Sequence, residues 1–282
     1  MGCVHLEERL RRTIGPARLA WADLPPPIEL VRVRRTLGRT DLDVATVGRI
    51  VAGDRVLARR LVRIANSGFF GLPRRVSDPR HAVAFLGLDA VRRIASTLAI
   101  LNAFPGNTSH GGRRLRRHAQ TTTLVTRSFA ARFEPLLDAR ELWAPAMLHE
   151  LGSLVLLASA PDRWQQLNLH AERHGCTLDE SERLLRLPRR RDLAALVAGR
   201  WGLDLDGLWH DTTGPTERAT RRIVESASEV TMLAFRTLRQ SSREYLQVRV
   251  CTRLGIPLEA FVALMAGVYR LGAEVEEHAF AG

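Results

Sequence analysis

The sequence predicts an all-α protein of about a dozen helices, because apolar residues recur at three- and four-residue steps along nearly the whole chain. The breaks between those runs carry residues that cap or end helices. The one extended candidate, Val248 to Cys251, is four residues long and does not establish a sheet. With 282 residues and 45% apolar content, the chain is long enough to bury a sizeable core and too apolar to be disordered by default.

Taken in order, residues 1–18 read as a short helix around Leu6, Leu10 and Ile14, stopped by Gly15 and Pro16. Trp21 to Pro27 ends in three prolines that force extended backbone, with Trp21 covering the end of the first subdomain. Helical spacing resumes at Ile28, Val31 and Leu37, and again at Val44, Val47 and Val51. Asp54 caps the next helix, whose inner face runs through Val56 or Leu57, Leu61, and Ile64 or Ala65. Asn66, Ser67 and Gly68 end that helix and hold the following loop, where Phe69 and Phe70 either fill the core or form an exposed docking pair before Gly71. Asp78 and Pro79 start a helix through Ala82, Val83 and Leu86, and after Gly87 another runs through Val91, Ile94, Leu98 and Leu101.

Phe104 to Gly112 is the clearest loop and the expected boundary between subdomains. Beyond it the spacing predicts helices over about 113–133, 142–157, 164–174, 179–187, 191–201, 217–240 and 257–278. The expected organisation is an N-terminal helix at 1–18, a helical subdomain at 19–110, a second bundle at 111–240 and a C-terminal helical extension at 241–282.

The formal net charge is +12, and every one of the 42 basic residues is arginine. Residues 1–140 hold 25 arginines against 11 acids, whereas the second half is nearly balanced. Arginine spread over ordinary solvated faces explains most of this; the dense Arg113, Arg114, Arg116 and Arg117 cluster is the better candidate for a surface that binds a ligand or partner. A stripe of Arg55, Arg59, Arg60 and Arg63 opens the alternative of direct nucleic-acid binding, though no helix-turn-helix, zinc-finger or RNA-recognition pattern accompanies it. Cys3, Cys176 and Cys251 are too few and too widely spaced for a disulfide scaffold or a thiolate zinc site. The longest apolar run noted, Leu151 to Ala158, is far short of a membrane span, and no secretory leader pattern opens the chain, so a cytoplasmic protein without membrane contact is expected.

His118 and the adjacent His149 and Glu150 form an N/N/O set acceptable to a divalent metal. A histidine beside an acid on an apolar helix is more often a buried polar contact.

The chain resembles the HDOD family, degenerate relatives of the HD metal-dependent phosphohydrolases found in bacterial signalling proteins. The likeness covers about Leu19 to Pro215 and is carried by Leu24 to Pro27, Gly53 to Ser67 with its terminal Ala-Asn-Ser, Phe69 to Gly71, and His81 to Gly87. Met147 to Gly152 is similar to the segment bearing the family's His-Asp pair, with Glu150 for the acid and Ser153 where relatives carry lysine. His118 resembles the first histidine of the HD pattern, and Trp209-His210-Asp211 is a loose match to a later histidine pair. Against the pattern of active HD enzymes, Arg189 and Arg190 replace a histidine segment and Ser228 replaces the last metal-binding aspartate, with Glu225 the nearest local substitute. The resemblance therefore implies a noncatalytic signalling module that binds a signalling protein or a nucleotide-derived ligand, with at most a weakly held divalent metal as cofactor. A residual metal-dependent phosphohydrolase is the remaining alternative. Arg190 joins the candidate ligand surface, since an inward guanidinium would favour phosphate over metal.

Overall fold

The computed structural model describes residues 26–104, 109–203 and 214–277, and these contain helices and no strand. We number the helices α1 Ile28–Leu37, α2 Val44–Gly53, α3 Arg55–Ala65, α4 Pro79–Leu86, α5 Leu88–Ala103, α6 His110–Phe133 and α7 Ala139–Leu148. The chain continues through α8 Leu151–Ser159, α9 Pro161–His174, α10 Leu178–Leu184, α11 Arg190–Trp201, α12 Pro215–Phe235, α13 Gln240–Leu254 and α14 Leu258–Glu277. The expected first helix, Trp21 and the Trp209-His210-Asp211 match lie outside the described residues.

Local chemistry accounts for the helix starts. Asp54 Oδ1 accepts from the amides of Val56 and Leu57 at 3.1 and 3.0 Å, and its carboxylate also pairs with Arg32 at 3.0 Å. Asp43, Asp78 and Ser109 cap α2, α4 and α6 in the same way, while Thr177 and Glu180 form a reciprocal capping box on α10. Between α3 and α4 the Asn66 amide clasps the backbone of Val76 in both directions, donating to its carbonyl at 2.7 Å and accepting from its amide at 2.9 Å. That clasp closes the loop over Phe69 and Phe70. Both rings are buried, packed edge to face at 4.9 Å, so they fill the core and are not a docking pair. Gly87 alone joins α4 to α5 with φ +82° and ψ 162°, a conformation closed to residues with a β-carbon.

Two apolar clusters make the core. One runs from Leu37 through α3 to α7 and on to Val268; the other gathers α8, α9 and α11 with Leu30, Phe104, Leu115 and Val224. Each draws residues from both sides of the 104–112 loop. The pairing of α6 with α12 joins the halves.

Two expectations change. Val248 to Cys251 is helical, inside α13, because its register presents Val250 to the core and leaves Val248 exposed. The single helix expected over 142–157 is two, α7 and α8, broken at His149 and Glu150. The break falls where α8 meets α11: a β-carbon on Gly152 would overlap the carbonyl oxygen of Arg190, so the two backbones touch there. Together Ala139–Ser159 is 21 residues long and apolar enough to cross a membrane, a longer stretch than the sequence reading isolated, but 72% of its apolar window is buried inside the protein.

Candidate functional site

The break between α7 and α8 is what makes a site. It turns His149 and Glu150 toward His118 on α6, so that one ligand atom from each lies within 4.8 Å of the others. Glu150 Oε1 is 3.7 Å from His118 Nε2 and 3.8 Å from His149 Nε2, and the two imidazoles are 5.2 Å apart. His149 Nδ1 donates to the Ala146 carbonyl at 2.6 Å, which fixes its tautomer and leaves Nε2 as a lone pair. That Nε2 is buried with no hydrogen-bond partner. An orphaned imidazole nitrogen beside a second imidazole and a carboxylate fits a divalent ion, but loosely: donors sharing one ion at bonds of about 2.1 Å sit roughly 3–4 Å apart, tighter than the widest pair here.

Two further groups set what the cluster does. Ser228 on α12 stands 3.2 Å from His118 Nε2, facing the cluster at the position where the resemblance to active HD enzymes implies an aspartate. Glu225, the local substitute that the sequence offered, pairs with Arg253 at 3.3 Å. Arg190, at the start of α11, points inward with 12% of its side chain exposed. It donates to Glu182 at 2.5 Å, to Asp179 at 2.6 Å, to Ser153 at 3.0 Å and to Glu150 at 3.4 Å. Ser153 in turn donates to Glu150, so the serine found in place of lysine links the carboxylate to the guanidinium.

The electrostatics follow from this packing. Burial alone would raise Glu150, yet Arg190, His149 and His118 outweigh it and hold the carboxyl at about 2. Burial lowers His118 to about 3 against the pull of Glu150, and lowers His149 for the same reason. Both imidazoles are therefore neutral and Glu150 charged, the protonation states a metal needs. Arg190 nevertheless already supplies Glu150 with a cation. The arrangement can hold a divalent ion weakly; among the described residues no second carboxylate joins it to balance a hydrolytic metal and its hydroxide.

The remaining sequence candidates fall elsewhere. Asp54, Asn66, Ser67, Phe69, Phe70, Gly71 and Gly87 serve the α3 to α5 region, away from the cluster. Arg113, Arg114 and Arg117 are exposed on α6 and Arg116 is half-buried, with Arg114 paired to Glu172 at 2.8 Å. Arg116 lines a small cleft with Arg60 and Arg63, so the two basic runs meet.

Sequence reasoning passed over Arg236, just beyond α12. It bonds to Asn168 Oδ1 at 3.0 Å and lines, with His118, Glu150 and Trp164, a cavity of about 700 Å3. Among 42 arginines nothing in the sequence distinguished it.

A helical protein with a His-His-acid cluster at a helix break, faced by Ser228 and by no second carboxylate among the described residues, has the arrangement of a degenerate HD-type domain. The chain belongs to the HDOD domain family, whose model matches residues 24–208. No curated protein matches it. Among solved structures it is similar to an HDOD domain protein from Geobacter sulfurreducens, with TM-score 0.68 and 23% identity over 99% of this chain and 98% of that one. A protein assigned to signal transduction from Marinobacter aquaeolei VT8 gives 0.66 and 18% over 99% of this chain and 66% of that one. One assigned as a phosphohydrolase from Shewanella amazonensis SB2B gives 0.61 and 18% over 93% and 98%.

Proposed function

We propose that this protein is a regulatory module that works by binding rather than by turnover, with a signalling protein as its partner. The fold does not choose between roles, since similar structures are assigned both to signal transduction and to phosphohydrolysis. The residues favour binding. The carrying observation is Ser228: a neutral hydroxyl bonded to His118 occupies the position facing the cluster, and Glu225, one helical turn before it, is committed to Arg253. Metal-assisted hydrolysis needs an anionic ligand set strong enough to retain the ion and activate water. Arg190 works against that by placing a permanent charge on Glu150.

Elemental analysis of the purified protein, paired with an activity screen in Mn, Fe, Mg and Zn, tests the proposal. The expected result is substoichiometric metal and no turnover of phosphomonoesters, nucleotides or cyclic dinucleotides above background. Metal-dependent turnover that disappears in the His149→Ala and Glu150→Ala variants would overturn it. Nucleic acid is a weak, nonspecific ligand in this reading, with affinity falling steeply with salt because the arginines of α3 and α6 contact only phosphates. Submicromolar, sequence-selective binding near physiological salt would replace this reading with the nucleic-acid one.

A further inference from the structure

Arg236 is half-buried, and its hydrogen-bond partner is the neutral amide of Asn168, whose own Nδ2 is spent on the Trp164 carbonyl. No carboxylate among the described residues forms an ion pair with it. A guanidinium offers five donors, and one bond to a side-chain amide leaves it poorly compensated for the water it has lost. Burial and then the nearby Arg114 charge lower its pKa, with Arg190 adding to the effect and Glu150 and Glu172 opposing it at a distance. Arg114 comes from α6, and its one carboxylate partner is Glu172. Two guanidiniums thus line the same space, and the acid that pairs with them among the described residues is Glu172, on Arg114.

The same two arginines line both the 700 Å3 cavity and an adjoining one of about 400 Å3, so they stand at the junction of the two spaces. The larger cavity is walled by Leu157, Trp164 and Met232 on its apolar side, and its volume lies in the range that takes a small organic molecule. The wall depends on Gly111, where a β-carbon would come within 2.9 Å of Trp164 Nε1.

From this juxtaposition we propose that the cavity binds a phosphate monoester, its phosphate held between Arg114 and Arg236 and its organic body lying along Leu157 and Trp164. A dianion offsets the two adjacent guanidiniums and uses their forked donors, whereas a carboxylate would offset one of them. The apolar wall and the volume call for a ligand larger than inorganic phosphate. This inference rests on the binding reading above and names the class of ligand; it places the anion on arginine and not on a metal.

Calorimetric titration of the full chain with p-nitrophenyl phosphate, inorganic phosphate and p-nitrophenol tests it. The ester is expected to bind at one site, inorganic phosphate more weakly, and p-nitrophenol not at all. Arg236→Met should lose affinity by about 10- to 100-fold, the factor carried by a charge-assisted hydrogen bond, with its thermal midpoint unchanged or raised. Arg114→Gln, on the exposed side of the pair, should weaken binding without affecting folding. An ester that gives no heat with the wild type, binds Arg236→Met as well as wild type, or binds no better than p-nitrophenol overturns the site. Release of p-nitrophenolate during the titration would overturn the noncatalytic reading instead, while leaving the phosphate site standing.

Discussion

Arg190 pairs with Glu150 and Arg236 lines the cavity that Glu150 also lines, and the surroundings of the two arginines are opposite. Arg190 is met by Glu182, Asp179, Glu150 and Ser153, from α8, α10 and the α7–α8 break. Arg236 is met by one neutral amide. A buried cation with a full set of anionic partners ties elements together, and removing it strands the partners; a cation with a neutral partner costs stability and is available to an external anion. The first arginine belongs to the architecture of the cluster, and the second to whatever enters the cavity beside it.

The largest effect expected from breaking this contrast is at Arg190. Arg190→Met leaves Glu150, Glu182 and Asp179 without their shared cation, and should cost about 3–5 kcal/mol in a urea unfolding measurement. A loss under about 1 kcal/mol would show that water or rearrangement compensates the three acids and that the network is not structural.

A satisfied clasp remote from the cluster sets the scale. Asn66→Ala orphans the amide and carbonyl of Val76, and should cost about 1–3 kcal/mol by the same assay. If the loss matches that of an exposed substitution, the 66–76 loop is held by Phe69 and Phe70 packing alone.

The titration of the cluster sharpens the comparison further. His118 and His149 have folded-state values below 6.5, with His118 at about 3, and Glu150 lies at about 2 against 4.5. For depressed groups the stability is present above the unfolded value and is lost as pH falls. The histidines thus withdraw stability from about pH 6.5 downward, and Glu150 follows below 4.5. Burial raises Glu182 and Glu229, which act with the opposite sign and lose stability as pH rises through their folded values. The expected result is a loss of about 1 kcal/mol per pH unit between pH 6 and 5, with a shallower slope in His149→Gln. A slope unchanged in that variant would assign the acid sensitivity to other groups.

The smallest expected effect is at Arg236. With no ligand present, Arg236→Met should change the unfolding free energy by less than about 0.5 kcal/mol or raise it modestly, because the residue it replaces is an undercompensated cation. A loss comparable to that of Arg190→Met would erase the difference between the two arginines.

The sequence by itself determined the helical class, the caps at Asp54 and Asp78, the ends at Gly53 and Gly87, and the three candidate ligands. Caps and periodicity act over three or four residues, so they are written where they operate. The tertiary structure decided the rest. It broke the helix at His149 and Glu150, packed Gly152 against α11, buried Phe69 and Phe70, and turned Arg190 inward. It also placed Arg236 against Asn168. Arg190 and Glu150 are 40 residues apart in the chain, and Arg236 and Asn168 are 68 apart. Whether an arginine ends up paired, buried or waiting for an anion depends on which distant helices pack around it, because desolvation and Coulomb energy are set by neighbours in space and not by neighbours in sequence.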